Sequence, residues 1–106
     1  MIGTKLDPAD YFGLRAVKVQ AVIYGVLKIE WSDGFTGLVD LRSKISEGSL
    51  FEWLRDDPRR FSDVEIGANG QCVGWRLQEI GQEIDFGADS LRLRSERQAA
   101  LLEIAN

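Results

Sequence analysis

The sequence predicts a small, mostly antiparallel α+β domain: a sheet built from two hairpins plus an extra strand, a short central helix and a C-terminal helix. Three observations carry that expectation. Several short stretches alternate apolar and polar residues with a period of two, as half-buried strands do. Asp33-Gly34 and Asn69-Gly70 are local turn signals between such stretches. No long helical segment separates consecutive strands, so parallel pairing through crossovers is not expected.

Residues 1–13 read as an N-terminal arm, with Asp7-Pro8 as a helix-start signal for one turn through Tyr11. "LRAVKVQ" (14–20) alternates, placing Leu14, Ala16 and Lys18 on one side and Arg15, Val17 and Val19 on the other. It reads as an edge strand, with "AVIYG" as the connection and Gly25 as its turn residue. "VLKIEW" (26–31) is the next strand, with Leu27, Ile29 and Trp31 on one face and Lys28 and Glu30 on the other.

The hairpin that follows is fixed by register. A two-residue Asp33-Gly34 loop would put Phe35, Val39 and Leu41 on the Lys28/Glu30 face. A three-residue Ser32-Asp33-Gly34 loop, with Gly34 left-handed in a G1 bulge, sets Trp31 opposite Phe35 and keeps the apolar residues together. A one-residue slip exchanges the faces completely, so the three-residue loop is expected. Asp33 is then a turn residue that bonds the backbone locally.

"SLFEWL" (49–54) starts a short helix, with Ser49 and Glu52 at capping-box spacing. Asp57-Pro58 restarts a helical turn into Phe61. "DVEIGANGQCVGWRL" reads as the second hairpin. A two-residue Asn69-Gly70 loop pairs Val64 with Trp75 and Ile66 with Val73. "EIGQEIDF" (79–86) reads as a last strand, with Ile80, Ile84 and Phe86 opposite Glu79, Glu83 and Asp85. Ser95 and Gln98 again have capping-box spacing, predicting a helix over about 96–105. The organisation expected is an arm (1–13), a single α+β domain (14–91) and a C-terminal helix (92–106).

Composition narrows the function. The 106 residues carry a net charge of −4 and no histidine. Duplex nucleic acid is held chiefly by Lys and Arg on phosphates, so a nucleic-acid partner is not expected from global charge. An anionic membrane surface is disfavoured by the same reasoning. The absent histidine removes the commonest general base and a frequent metal ligand. The start of the chain lacks the basic and apolar regions of a secretory signal, no apolar run is long enough to span a membrane, and the lone Cys72 fits a reducing compartment. A cytoplasmic location is therefore expected.

Candidate chemistry is sparse. "DFG" at 85–87 spells the kinase magnesium motif, but its partner motifs are missing; a strand end with a turn glycine is the simpler reading. Asp56/Asp57 and Glu83/Asp85 are carboxylate pairs, and paired acids do acid–base work only where burial separates their pKa values. No loop has the spacing of a metal site. Cys72, on the face opposite Val73 and Trp75, has no histidine to activate it. Trp31 and Trp75 fall on core faces. Trp53 falls partly outward, either as a partly covered surface side chain or as a binding residue of the kind enriched at interfaces. Arg92, Arg94 and Arg97 form one basic stripe and Arg55, Arg59 and Arg60 another. Both are interleaved with acids and read as solvated faces.

Taken in order, "VLKIEWSDGFTGLVDL", "LFEWLRDDPRRFSDVEI", "GQCVGW" and "GQEIDFGADSL" resemble the family of small bacterial proteins known as domain of unknown function 2442. The matching residues are Trp31, Asp33, Gly34, Asp40, Leu41, Leu54, Asp56, Phe61, Val64, Gly70, Trp75, Asp85 and Leu91, spread over residues 14–91. One departure is that "RLQEI" intervenes after Trp75, where the family turns quickly. The resemblance implies a small α+β fold without a known catalytic site. Some members of that family carry an appended helix-turn-helix domain, and others lie beside a second small gene in a toxin–antitoxin-like arrangement. This implies a regulatory or partner-binding role by association.

The function expected from the sequence is a non-enzymatic protein-interaction or regulatory module, with a protein partner or a second copy of itself and no cofactor. Trp53, Leu101, Leu102 and Ile104 are the candidate interaction surface. Asp33, Gly34, Asn69 and Gly70 are the structural turns. The alternatives are a carboxylate- or metal-dependent enzyme using Asp40, Glu83 or Asp85, and an accessory nucleic-acid binder using the arginine stripes.

Overall fold

The structure, a computed structural model, describes residues 13–105, and the side chains of residues 13–100. The expected turn at Asp7-Pro8 lies outside the described residues. Six strands form two antiparallel three-stranded sheets, so the α+β class is as expected, with the strands divided between two sheets. The first sheet has the order β1 (Ala16–Ile23), β2 (Val26–Trp31), β3 (Thr36–Asp40). The second has the order β4 (Glu65–Gly67), β5 (Cys72–Trp75), β6 (Ile84–Gly87). Between them run α1 (Arg42–Ile45) and α2 (Glu52–Asp56), and α3 (Ala88–Ala105) follows β6 directly.

The first hairpin has the three-residue tip. Gly34 N–H donates to Trp31 O, Trp31 N–H donates to Phe35 O, and Gly34 has φ +92°. Leu27 pairs with Val39 and Lys28 with Leu38. Leu27, Ile29, Trp31 and Val39 are all buried while Lys28 and Thr36 are exposed, which is the face assignment that the register argument requires.

Strand β1 is an edge strand, but it runs on through Ile23, into what was expected to be connection. Its simple alternation fails because of a bulge between Ala16 and Lys18. One extra residue exchanges the faces, so Val19 and Ala21, not Lys18, pack against the core.

In the second hairpin Ile66 pairs with Val73 as expected. Asn69 (φ +59°) and Gly70 (φ +93°) sit at the two central positions of the turn, and Gln71 N–H donates to Ala68 O. These are the dihedrals of a type I′ turn, which favours Asn-Gly. Gly70 is buried, and a Cβ there would come within 2.8 Å of Ala16 O. The tip thus docks against the start of β1, where the Arg15 guanidinium donates to Asn69 O at 2.7 Å.

Three expectations need correction. The last strand is only Ile84–Gly87, because residues 76–82 fold into turns closed by Glu79 N–H to Arg76 O and Gln82 N–H to Glu79 O. Ile80 is consequently 98% exposed. Neither capping box forms. Ser49 opens a 3-10 turn whose cap is Gly48, without a side-chain cap bond. Ser95 lies inside α3, which starts at Ala88 rather than near 96, and is 1% exposed. It packs where a Cβ on Gly37 would collide with its hydroxyl oxygen. The Asp57-Pro58 signal does hold: the Asp57 carboxylate accepts from Arg59 N–H and starts the turn Pro58–Asp63. Helix α1, which no cap or periodicity announces, follows the end of β3.

The core joins both sheets and all three helices. Trp31, Phe61, Val73, Trp75, Leu54 and Leu91 are each at most 2% exposed. The Trp75 indole donates to Phe61 O at 3.0 Å, which satisfies the polar end of a buried aromatic.

Candidate functional site

Helix α3 is held against the first sheet by a charged junction. Arg92, whose side chain is 3% exposed, donates through both terminal nitrogens to the Asp33 carboxylate at 2.9 Å each. Its Nε donates to Glu96 one turn further on at 2.6 Å. The guanidinium also lies 4.3 Å from the Phe35 ring centre, within cation–π range. Asp33 therefore has two jobs. It accepts from Phe35 N–H within the turn, as expected, and it anchors a helix 59 residues away. Its hydrogen bond from Arg92 holds its carboxyl below the ordinary aspartate range.

Arg92 is thus not part of a solvated stripe. A buried guanidinium needs carboxylate partners, and Asp33 together with the i,i+4 residue Glu96 supplies them. That spacing was visible in the sequence; the long-range partner was not. Gln98 also fastens the helix. Its side chain accepts from Asp40 N–H at 2.9 Å and donates to Asp40 O at 3.2 Å, closing the outer edge of β3.

Of the expected interaction surface, only Trp53 has a described side chain. Trp53 is half-buried and packed against the core, with Arg60 and Arg76 at 4.8 and 5.0 Å from its ring. Leu101, Leu102 and Ile104 belong to α3, and their side chains lie outside the described residues. The exposed apolar residues include Val17, Val22 and Ile23 on β1, Leu38 on β3, and Ile80. Asn69 and Gly70 are a docked turn, as described above.

The three candidate acids are separated. Asp40 is tied to Arg42 through Oδ1 and Oδ2 at 3.0 and 2.7 Å, which lowers its pKa. Glu83 is exposed beside Trp53, in a groove of about 320 Å³ that Glu52 and Asp56 also line. Asp85 is exposed on β6. Burial, reinforced by the neighbouring Asp85 carboxylate, pushes the half-buried Cys72 thiol up, away from the thiolate that nucleophilic chemistry needs.

What the structure does gather lies between α3, β6 and α1. A groove of about 650 Å³ is lined by Lys44, Asp85, Phe86, Leu93, Arg94 and Arg97, among others. Its cations stand apart from the rest. Arg15 bonds Asn69 O, Arg42 bonds Asp40, and Arg55 caps the carbonyls of Ile45 and Gly48. Arg59 bonds Asp57, Arg60 bonds Trp53 O, and Arg76 bonds Glu79. Among the described residues, Arg94 and Arg97 are the only arginines without a hydrogen bond or contact ion pair. Both face the same groove, together with Lys44, which is likewise without such a partner there.

The second arginine stripe is mostly absorbed by its own neighbourhood, whereas the first splits into a buried strut at 92 and groove-lining residues at 94 and 97. A two-residue step along a helix turns a side chain by more than half a revolution, which is why neighbouring arginines meet different surroundings. Lys44 escaped the sequence reading because α1 did. The arrangement offers positive charge and apolar wall together, which suits binding of a chemically matched surface.

No family model, no curated protein and no solved structure matches this chain.

Proposed function

We propose that this protein is a non-enzymatic partner-binding module and that the groove between α3 and β6 is its recognition surface. The observation that carries this reading is the convergence of Lys44, Arg94 and Arg97 on one groove while the other described arginines serve the fold. The Phe86 and Leu93 side chains supply apolar area beside those charges, the mixture typical of protein interfaces. Strut Arg92 and clamp Gln98 belong to the same helix, so two side-chain contacts fasten the groove-lining helix to the first sheet. A preorganised surface loses less entropy on binding.

The test compares capture of partners from the source cell by the wild-type chain and by the Arg97→Glu variant, with native mass spectrometry of each complex. The reading expects a stoichiometric complex that the variant loses. A complex that forms equally with both places recognition elsewhere on the molecule.

A second reading, a carboxylate-dependent reaction, is supported by Asp85 alone, the one candidate acid on the larger groove. Under that reading a captured ligand is chemically changed by the wild type and left intact by Asp85→Asn.

A further inference from the structure

Resting on that reading, we propose that the groove takes an acidic, extended segment of a partner protein, lying alongside β6 as an added strand. Three independent features select this occupant. The first is charge. Lys44, Arg94 and Arg97 face the groove, with Asp85 the single acid among its described lining residues, on a chain whose net charge is −4. Charge complementarity of this kind selects partners and speeds their encounter.

The second is the wall. Phe86 and Leu93, both half-buried, line the groove beside the cations. A small inorganic anion has no use for that apolar area, whereas a strand presents acids and apolar side chains to opposite sides at each successive residue.

The third is the strand edge. Among the described residues β6 is the outer strand of its sheet, with β5 as its one strand neighbour. Ala88 N–H donates to Gln71 O just beyond the β5–β6 ladder. The alternation of an antiparallel ladder then turns the N–H and C=O of Asp85 away from β5. The closeness of Gly74 to the Asp85 backbone, where a Cβ would lie 2.7 Å from Asp85 Cα, fits that non-bonded pairing. Outward backbone groups on an edge are what strand addition uses, with pockets for alternate side chains giving selectivity.

Nucleic acid fits less well. A phosphate backbone is followed by many cations in a row, and here most other arginines are committed to internal partners.

The test uses the full chain and three labelled decapeptides in which valine alternates with glutamate, glutamine or lysine. Binding is followed by fluorescence anisotropy at low and high salt, with amide chemical shifts locating the site. The expected result is binding of the glutamate peptide, weakened by salt, with shifts at residues 84–97 and at Lys44. Lys44→Glu and Arg97→Glu each weaken it about tenfold. Both residues are exposed, so unchanged melting curves verify that the variants fold.

Equal binding of the glutamine peptide in the groove, unaffected by either variant, overturns the acidic preference and leaves the groove as a partner site. Absence of any peptide-induced shift in the groove overturns the strand-addition proposal, and if the cellular complex also survives Arg97→Glu, the parent reading fails with it. Tighter binding of a single-stranded oligonucleotide or of anionic vesicles at the same residues overturns the peptide. A concentration-dependent dimer abolished by Lys44→Glu overturns it in favour of a second copy of this chain.

Discussion

Replacing Arg92 or Asp33 tests whether the hairpin tip anchors the helix. The Arg92 and Glu96 side chains are 3% and 6% exposed, and that of Asp33 is 37% exposed. Removing one member of a buried ion pair costs about 3–5 kcal/mol. Arg92→Met falls in that range, since it withdraws the guanidinium from two carboxylates and from the Phe35 ring. Asp33→Asn costs less, about 1–2 kcal/mol, because water screens a carboxylate that is more than a third exposed and Glu96 still holds the arginine.

At roughly 4–8 °C per kcal/mol for a domain of this size, Asp33→Asn lowers the Tm by about 5–15 °C and Arg92→Met by about 15 °C or more. Calorimetric melts at neutral pH read both, and the double variant gives the coupling between them. The pH dependence has a definite sign. The folded pKa of Asp33 is depressed, chiefly by its hydrogen bond from Arg92. Its stabilisation is therefore whole at neutral pH, where both states are ionised. It fades as pH falls below the unfolded value of about 3.9, and it is gone below the depressed folded value. Asp33→Asn flattens that acid limb. A stability change within about 0.5 kcal/mol of wild type, the range of an ordinary surface substitution, would refute the anchor and return Asp33 to a purely local turn role.

Three further outcomes follow from the geometry. Gly34→Val places a β-branched residue at φ +92°; it costs about 1–3 kcal/mol through backbone strain alone, since no neighbour lies within 4 Å of the new Cβ, and an unchanged Tm contradicts the bulged tip. Gly74→Ala drives a methyl into Ile84 O and the Asp85 backbone, so circular dichroism should report loss of cooperative folding or a Tm reduced by about 5–20 °C, at roughly 1–3 kcal/mol for overpacking. Gln98→Ala removes both bonds to the Asp40 backbone and costs about 1–3 kcal/mol, with faster amide exchange at Asp40 as its local signature.

The parts of the fold legible in the sequence were those fixed by short-range rules. The tip at 32–34 follows from matching two apolar faces, and the turn at Asn69-Gly70 from the dihedrals those residues tolerate. The parts that escaped depend on distant partners. Ser95 and Gln98 have capping-box spacing, yet Ser95 is packed beside Gly37 and Gln98 bonds a strand edge 58 residues away. Arg92 is spaced like its neighbours Arg94 and Arg97, and only the position of Asp33 on another element makes it a buried strut. The bulge after Ala16 is equally silent, because the sequence around it alternates on both sides. The groove could not be read at all before α1 and the true start of α3 were known, since Lys44 and Ser90 come from those segments. Trp53, the tryptophan expected to face partly outward, is half-buried with two guanidinium groups beside its ring.

Amide chemical-shift mapping during titration with the alternating glutamate–valine peptide tests the proposed recognition surface most directly. The account predicts saturable changes concentrated at β6, at residues 90–98 of α3 and at Lys44. Changes confined to the outer face of the β1–β2–β3 sheet, or to the groove beside Trp53, would contradict it.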